Sequence, residues 1–197
     1  MKKYLFAVFA FCLLSACAGL MSDYDIADAS ESSQPFWIQQ SKAHKIDAPA
    51  EAAKNLYFTG SAQNINQRLC LKNAETIAVK KIASETAREL ISRLKKSSAL
   101  QNDAADNKLK EILEQNIQAG LRGAAVADKY WEKRSYKKEK GAQKDYTSYK
   151  CNAVVKVKKT ALAEALNTYK EKNQKNKNKA ALESAINSYI TELNAAQ

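Results

Sequence analysis

Apolar positions along this 197-residue chain change their spacing several times, and each change marks an element. Tyr4 to Ala16 is an almost unbroken apolar stretch behind Met1-Lys2-Lys3, and the polar run Ser22-Asp23-Tyr24-Asp25 follows soon after it. That is the layout of a secretory signal peptide, and the stretch is shorter than the ~20 residues a membrane-spanning helix needs. Residues 17–34 are polar, acidic and without period, which predicts a flexible tether. Pro35-Phe36-Trp37-Ile38 is an aromatic cluster in which Trp37 is expected to pack onto the domain and close its core. Leu56 to Ala62 predicts a strand ending near Gly60, and Asn64 with Gln67 three residues on predicts a capping box opening a long helix from about Ile65 to Lys96.

The apolar face of that helix changes side. Cys70, Leu71, Ala74, Ile77, Ala78 and Ile82 share one side; Ala83, Thr86, Ala87, Leu90, Ile91 and Leu94 lie nearly opposite. The first half is expected on the sheet and the second against the next helix or another subunit, so the long helix is also a candidate seam for a homo-oligomer. A bend near Ala83 is the alternative. Ala105, Leu109, Ile112, Leu113 and Ile117 predict an amphipathic helix over 103–119, stopped by Gly120 and Gly123. Strands are predicted at Ala124–Tyr136 and Asp145–Val157, paired as an antiparallel hairpin. In the second, Tyr149, Cys151, Ala153, Val155 and Val157 form a buried face and Tyr146, Ser148, Lys150, Asn152 and Lys156 a wet one. Helices at about 158–172 and 180–195 flank a Lys/Asn/Gln linker. The order β-α-α-β-β-α-α predicts an α+β fold: a small antiparallel sheet of about three strands, packed by the long helix and further helices stacked on one face. The chain divides into a signal peptide (1–16, removed), a tether (17–34), a single domain (35–172) and a helical C-terminal extension (173–197).

Four cysteines sharpen this picture. Cys12 leaves with the signal peptide. Leu14-Ser15-Ala16-Cys17 resembles the lipobox of bacterial lipoproteins. The resemblance implies cleavage before Cys17, diacylglycerol on its thiol and an acyl chain on its new amino group, these lipids being the only attached groups expected. Ala18 stands where inner-membrane retention usually wants aspartate, which implies the outer membrane. Cys70, on the sheet-facing half of the long helix, and Cys151, on the buried face of the last strand, can meet in the core as a disulfide or lie there as two free thiols.

Chemistry for catalysis is sparse. His44 is the single histidine, in a loop without a supporting motif; no Cys/His set has metal-ligand spacing and no Gly-rich phosphate loop occurs. The reading is of a non-enzyme with no catalytic residue, metal or cofactor. Charge is the remaining signal. The whole chain carries +11; losing Lys2 and Lys3 leaves 30 basic against 21 acidic side chains, or +9. Residues 129–159 hold 11 Lys and Arg against Glu132, Glu139 and Asp145. Lys133, Arg134, Lys137 and Lys138 are the candidate patch for an acidic partner such as an acidic glycolipid, with a solvated, unpaired hairpin edge as the bland reading. Nucleic acid is not expected, since an exported, membrane-tethered chain seldom meets it.

Pro35-Phe36-Trp37, then Tyr57-Phe58-Thr59-Gly60-Ser61-Ala62, then the alanine-rich helix, together resemble the Lpp-twenty family of bacterial outer-membrane lipoproteins. Leu121-Arg122-Gly123 with Val126-Ala127-Asp128-Lys129-Tyr130-Trp131 looks like the family's later strand. The resemblance covers about residues 35–160; the chain departs from it in the 41–55 insertion and in the helices after 170. It implies a lipid-anchored envelope component, facing the periplasm or the cell surface, that works through protein partners. The family's flagellar links gain no independent support from these residues, and its motif positions carry over as core and turn residues. The competing readings are a regulator of peptidoglycan synthesis and a glycolipid binder. The first suffers from reach: the 17 residues 18–34, fully extended, span only ~55 Å.

Overall fold

A computed structural model describes residues 22–40, 43–97, 103–121, 124–172 and 179–195. The lipobox, Cys17, Arg122, Gly123 and most of the 173–179 linker lie outside these residues. The chain is α+β. Strands β1 (Tyr24–Ala29), β2 (Asn55–Asn64), β3 (Ala125–Tyr136) and β4 (Tyr146–Lys158) form one antiparallel sheet in the order β1-β3-β4-β2. Helices α1 (Phe36–Gln39) and α2 (Pro49–Ala52) are single turns, separated by a 3-10 turn at Ala43–Ile46. The long helices are α3 (Gln67–Lys96), α4 (Asp103–Gly120), α5 (Lys159–Lys172) and α6 (Lys179–Ala195).

Four strands replace the three expected, because residues 24–29 are not tether. They pair with β3 from Tyr24↔Tyr136 to Ala29↔Glu132. The sequence hides this strand because it lies at the sheet edge, with all but its two end residues exposed and so no apolar face to reveal it. Asp25 and Asp28 on that edge disfavour pairing with a further chain.

Helix α3 begins two residues later than the Asn64–Gln67 spacing suggests. Asn66 is the N-cap: its Oδ1 accepts from the Leu69 N–H at 3.0 Å, while Asn64 Oδ1 accepts from the Asn66 N–H at 2.9 Å. The helix runs unbroken for 30 residues, ~45 Å, and its apolar face does change side. Cys70, Ala74, Ala78 and Ile82 lie on β2 and β4, and Cys70 is disulfide-bonded to Cys151 with the Cα atoms 5.7 Å apart. Gly60 lets the two backbones meet: a Cβ there would sit 2.1 Å from the Ala74 carbonyl oxygen and 2.6 Å from the Ala78 nitrogen.

Only this first half of α3 covers the sheet. Its second half leaves the sheet and builds a separate layer with α4, α5 and α6, around Leu90, Leu94, Leu113, Ile117, Leu162, Leu166 and Ile186. The helices therefore do not stack together on one face as expected. Of the two contacts expected for this half of the helix, it is the chain's own helices that cover Leu90, Ile91 and Leu94.

The sheet's other face is partly covered rather than wet throughout. The segment after β1 folds back across it, seating Trp37 and Ala43 against Tyr130 and Val154. Val154 was the missed signal, an apolar residue in the run of polar side chains on that side of β4. Among the described residues, no helix is long and apolar enough to cross a membrane.

Candidate functional site

The Trp37 face is held by polar groups buried in register. Period-two alternation on β3 puts Tyr130, Glu132, Arg134 and Tyr136 on one side. Glu132 is 1% exposed and fully engaged. Gln34 Nε2 donates to its Oε1 at 2.5 Å, the Tyr130 hydroxyl donates to the same oxygen at 3.2 Å, and Arg134 Nε and Nη2 donate to Oε2 at 2.9 and 2.7 Å. Burial pulls the Glu132 carboxyl upward, but the bonds from Gln34 and Arg134 outweigh it and hold it below the usual carboxylate range. Burial, with the neighbouring Glu132 charge, pushes Tyr130 up to about 12. Trp37 Nε1 donates to Asp128 Oδ2 at 2.6 Å, and the Arg134 guanidinium lies 4.2 Å over the Tyr24 ring. Gln34, Trp37 and Tyr24 fix the N-terminal segment to the sheet through Glu132, Asp128 and Arg134, while Tyr130 and Arg134 hold Glu132 from within β3. The arrangement is structural, and the spacing of Tyr130, Glu132 and Arg134 was the sequence signal that could have found it.

A cleft lies at the opposite end of the sheet, where Asn55 pairs with Lys158. It has a volume of about 980 Å³ and is lined by His44, Lys45, Leu56, Tyr189, Glu192 and Leu193 among others. Its rim is set by ion pairs. Asp47 Oδ2 accepts from the Tyr57 hydroxyl and from Lys156 Nζ, both at 2.6 Å. The Lys156 bond, then the Tyr57 bond, draws the Asp47 carboxyl below its usual range, while burial and then Asp47 push Tyr57 up to about 12. Across the cleft, Arg93 holds Glu192 through two bonds, at 2.8 and 2.5 Å, and stands 5.5 Å over the Tyr189 ring. His44 lines this cleft, and Asp47, the nearest acid in sequence, already serves two donors. Among the described residues, no cluster of three His, Cys, Asp or Glu side chains could hold a metal ion. What the cleft offers is an apolar floor with fixed charges at its lip, which suits binding.

The proposed acidic-partner patch is not one surface. Lys133 and Arg134 are neighbours on β3 and so point to opposite faces, while Lys137 and Lys138 belong to the hairpin turn. Arg134 is committed to Glu132. Some of the basic side chains are also paired within the chain: Lys129 with Glu75 at 2.5 Å, Lys156 with Asp47 at 2.6 Å, and Lys140 with Asp25. Cys70 and Cys151 are brought together, buried beneath α3. No protein-family model matches the chain, and no curated protein matches it.

Proposed function

We propose that this chain is a lipid-anchored outer-membrane lipoprotein of the Lpp-twenty kind, a non-enzymatic component of the cell envelope that works by holding protein partners. The observation that carries the reading is Leu14-Ser15-Ala16-Cys17 closing an apolar stretch behind two lysines. The Cys70–Cys151 disulfide supports export, because buried structural disulfides belong to oxidising compartments. The cleft supports a binding role. It sits at the end of the sheet away from Tyr24, and so away from the anchor, where a partner in solution has access.

Strand β1 weighs against a regulator that reaches a distant peptidoglycan synthase. It takes up residues 24–29, leaving only residues 18–23 between Cys17 and the sheet, ~20 Å at full extension rather than ~55 Å. The division of the candidate patch between two faces and a turn, with Arg134 bound to Glu132, weighs against the glycolipid reading.

The test is Cys17→Ser in the native host. The wild-type chain is expected in the outer-membrane fraction with a mass that includes diacylglycerol and an acyl chain, and the variant in the soluble fraction without them. A photo-crosslinking residue at Tyr189 in the wild-type background is expected to capture an envelope protein. Wild type and variant pelleting alike with unacylated masses would overturn the reading.

A further inference from the structure

The sheet's registers gather three separate pieces of chain at one end. Tyr24 pairs with Tyr136, Tyr136 with Tyr146, and Asn64 with Tyr149. The start of β1, the β3–β4 turn (residues 137–145) and the β2–α3 junction therefore share an edge about 15 Å wide, the width of four strands. Lys137 N donates to the Asp23 carbonyl at 3.1 Å, fixing the incoming chain to the turn.

Large apolar side chains stand exposed at this edge among the charged residues of the turn. Ile65 is 80% exposed, more than any other large apolar side chain described, and Leu69, four residues on, is 51% exposed. Tyr146 is 39% exposed and caps a ring stack: it lies 4.4 Å from Tyr136, parallel to it, and Tyr136 lies 5.3 Å from Tyr24. Arg68, Lys138 and Lys144 stand around these residues, all exposed. Asp25 is met by Lys140, and Asp145 Oδ1 accepts from the Lys138 N–H at 2.7 Å. Apolar tips, tyrosines and long basic side chains are the set that settles at the boundary between headgroups and acyl chains.

We propose that this edge is a bilayer-contact surface, with Ile65, Leu69 and Tyr146 entering the headgroup layer beside the anchor. The inference rests on the lipoprotein reading, since residues 18–23 then hold the edge within ~20 Å of the lipidated cysteine. Acidic and basic side chains nearly balance there, so apolar contact rather than charge carries the docking. The domain stands on the membrane by its tyrosine end, and the cleft at Asn55–Lys158 faces away from the lipid.

The test uses the full lipidated chain in vesicles of phosphatidylethanolamine and phosphatidylglycerol with brominated acyl chains, which quench tryptophan on contact. Ile65→Trp is compared with Ile112→Trp on α4, the wild-type signal from Trp37 and Trp131 being subtracted from both. Emission from position 65 is expected to fall about twofold, as for a side chain seated in the interface, with little change in raised salt, and position 112 is expected to be unaffected. Adding Leu69→Asp to Ile65→Trp should return most of the emission. Equal emission at the two positions in a chain whose mass includes the lipid would overturn the docking alone. A chain that neither floats with vesicles nor has acyl mass would overturn the lipoprotein reading and this one with it.

Discussion

The two faces of the sheet are held by different physics. Under α3 the contact is backbone to backbone, made possible by Gly60, Ala74 and Ala78 and locked by the Cys70–Cys151 bond. Under the N-terminal segment it is a large aromatic, Trp37, surrounded by charge-assisted hydrogen bonds to Glu132 and Asp128. The first face is intolerant of added volume. The second tolerates shape better but depends on the charge of a buried carboxylate. A sheet of only four strands can thus be closed on one side chiefly by close backbone packing and on the other by a buried carboxylate network.

Breaking the disulfide should have the largest effect. It closes a loop of 81 residues, and in the chain-entropy account its removal costs about 4.5 kcal/mol. The double variant Cys70→Ser/Cys151→Ser is expected to lose about that much in urea unfolding, and wild type in reductant to match it. A loss far smaller than this would mean that the close helix–sheet contact stands without its lock. Trp37→Ala comes next, at about 4 kcal/mol for a buried tryptophan with a hydrogen-bonded indole. Its signature is local: amides of β1 should exchange faster while those of α3 keep their protection. Gly60→Ala should cost about 3 kcal/mol, because the added methyl meets α3 backbone, which cannot rotate aside as a side chain would. Equal stability of Gly60→Ala and wild type would disprove the backbone contact.

The helix face was legible in the sequence for the reason it is stable. Cys70, Ala74, Ala78 and Ile82 recur at helical spacing, and Cys151, Ala153, Val155 and Val157 at strand spacing, so both partners of the interface announce themselves. The switch of side at Ala83 was legible too, and it marks where the sheet ends and the helical layer begins. The other face was read only through Trp37. Tyr24-Asp25-Ile26-Ala27-Asp28-Ala29 looks like tether because an edge strand needs no apolar face, and its stabilisation comes from pairing with a strand a hundred residues away. Glu132 looked like one acid in a basic run. Its burial depends on Gln34 arriving from that same hidden segment, so the second misreading followed from the first. The cleft was beyond sequence reasoning altogether, since it joins the 43–56 segment to the last helix across most of the chain.

The smallest effect is also the one that separates the two faces most cleanly. Glu132→Gln keeps the shape of the side chain and removes its charge, so Arg134 loses an ionic partner while Gln34 and Tyr130 keep a carbonyl to meet. The expected cost near neutral pH is about 1.5 kcal/mol, the low end for hydrogen bonds to a charged group. Its pH dependence follows from the direction of the shift. The folded carboxyl titrates below the ordinary 4.5, so the ionised form favours folding. That stability is fully present above pH 4.5 and is lost as pH falls below 4.5 and through the folded value. Urea unfolding of wild type across this acid range should therefore weaken more steeply than that of Glu132→Gln, the two curves converging at low pH. The helix-face variants Gly60→Ala and Cys70→Ser/Cys151→Ser should keep the wild-type slope, displaced downward in parallel. Parallel curves for Glu132→Gln as well would show that the buried carboxylate contributes shape alone, and the contrast between the two faces would reduce to one of packing.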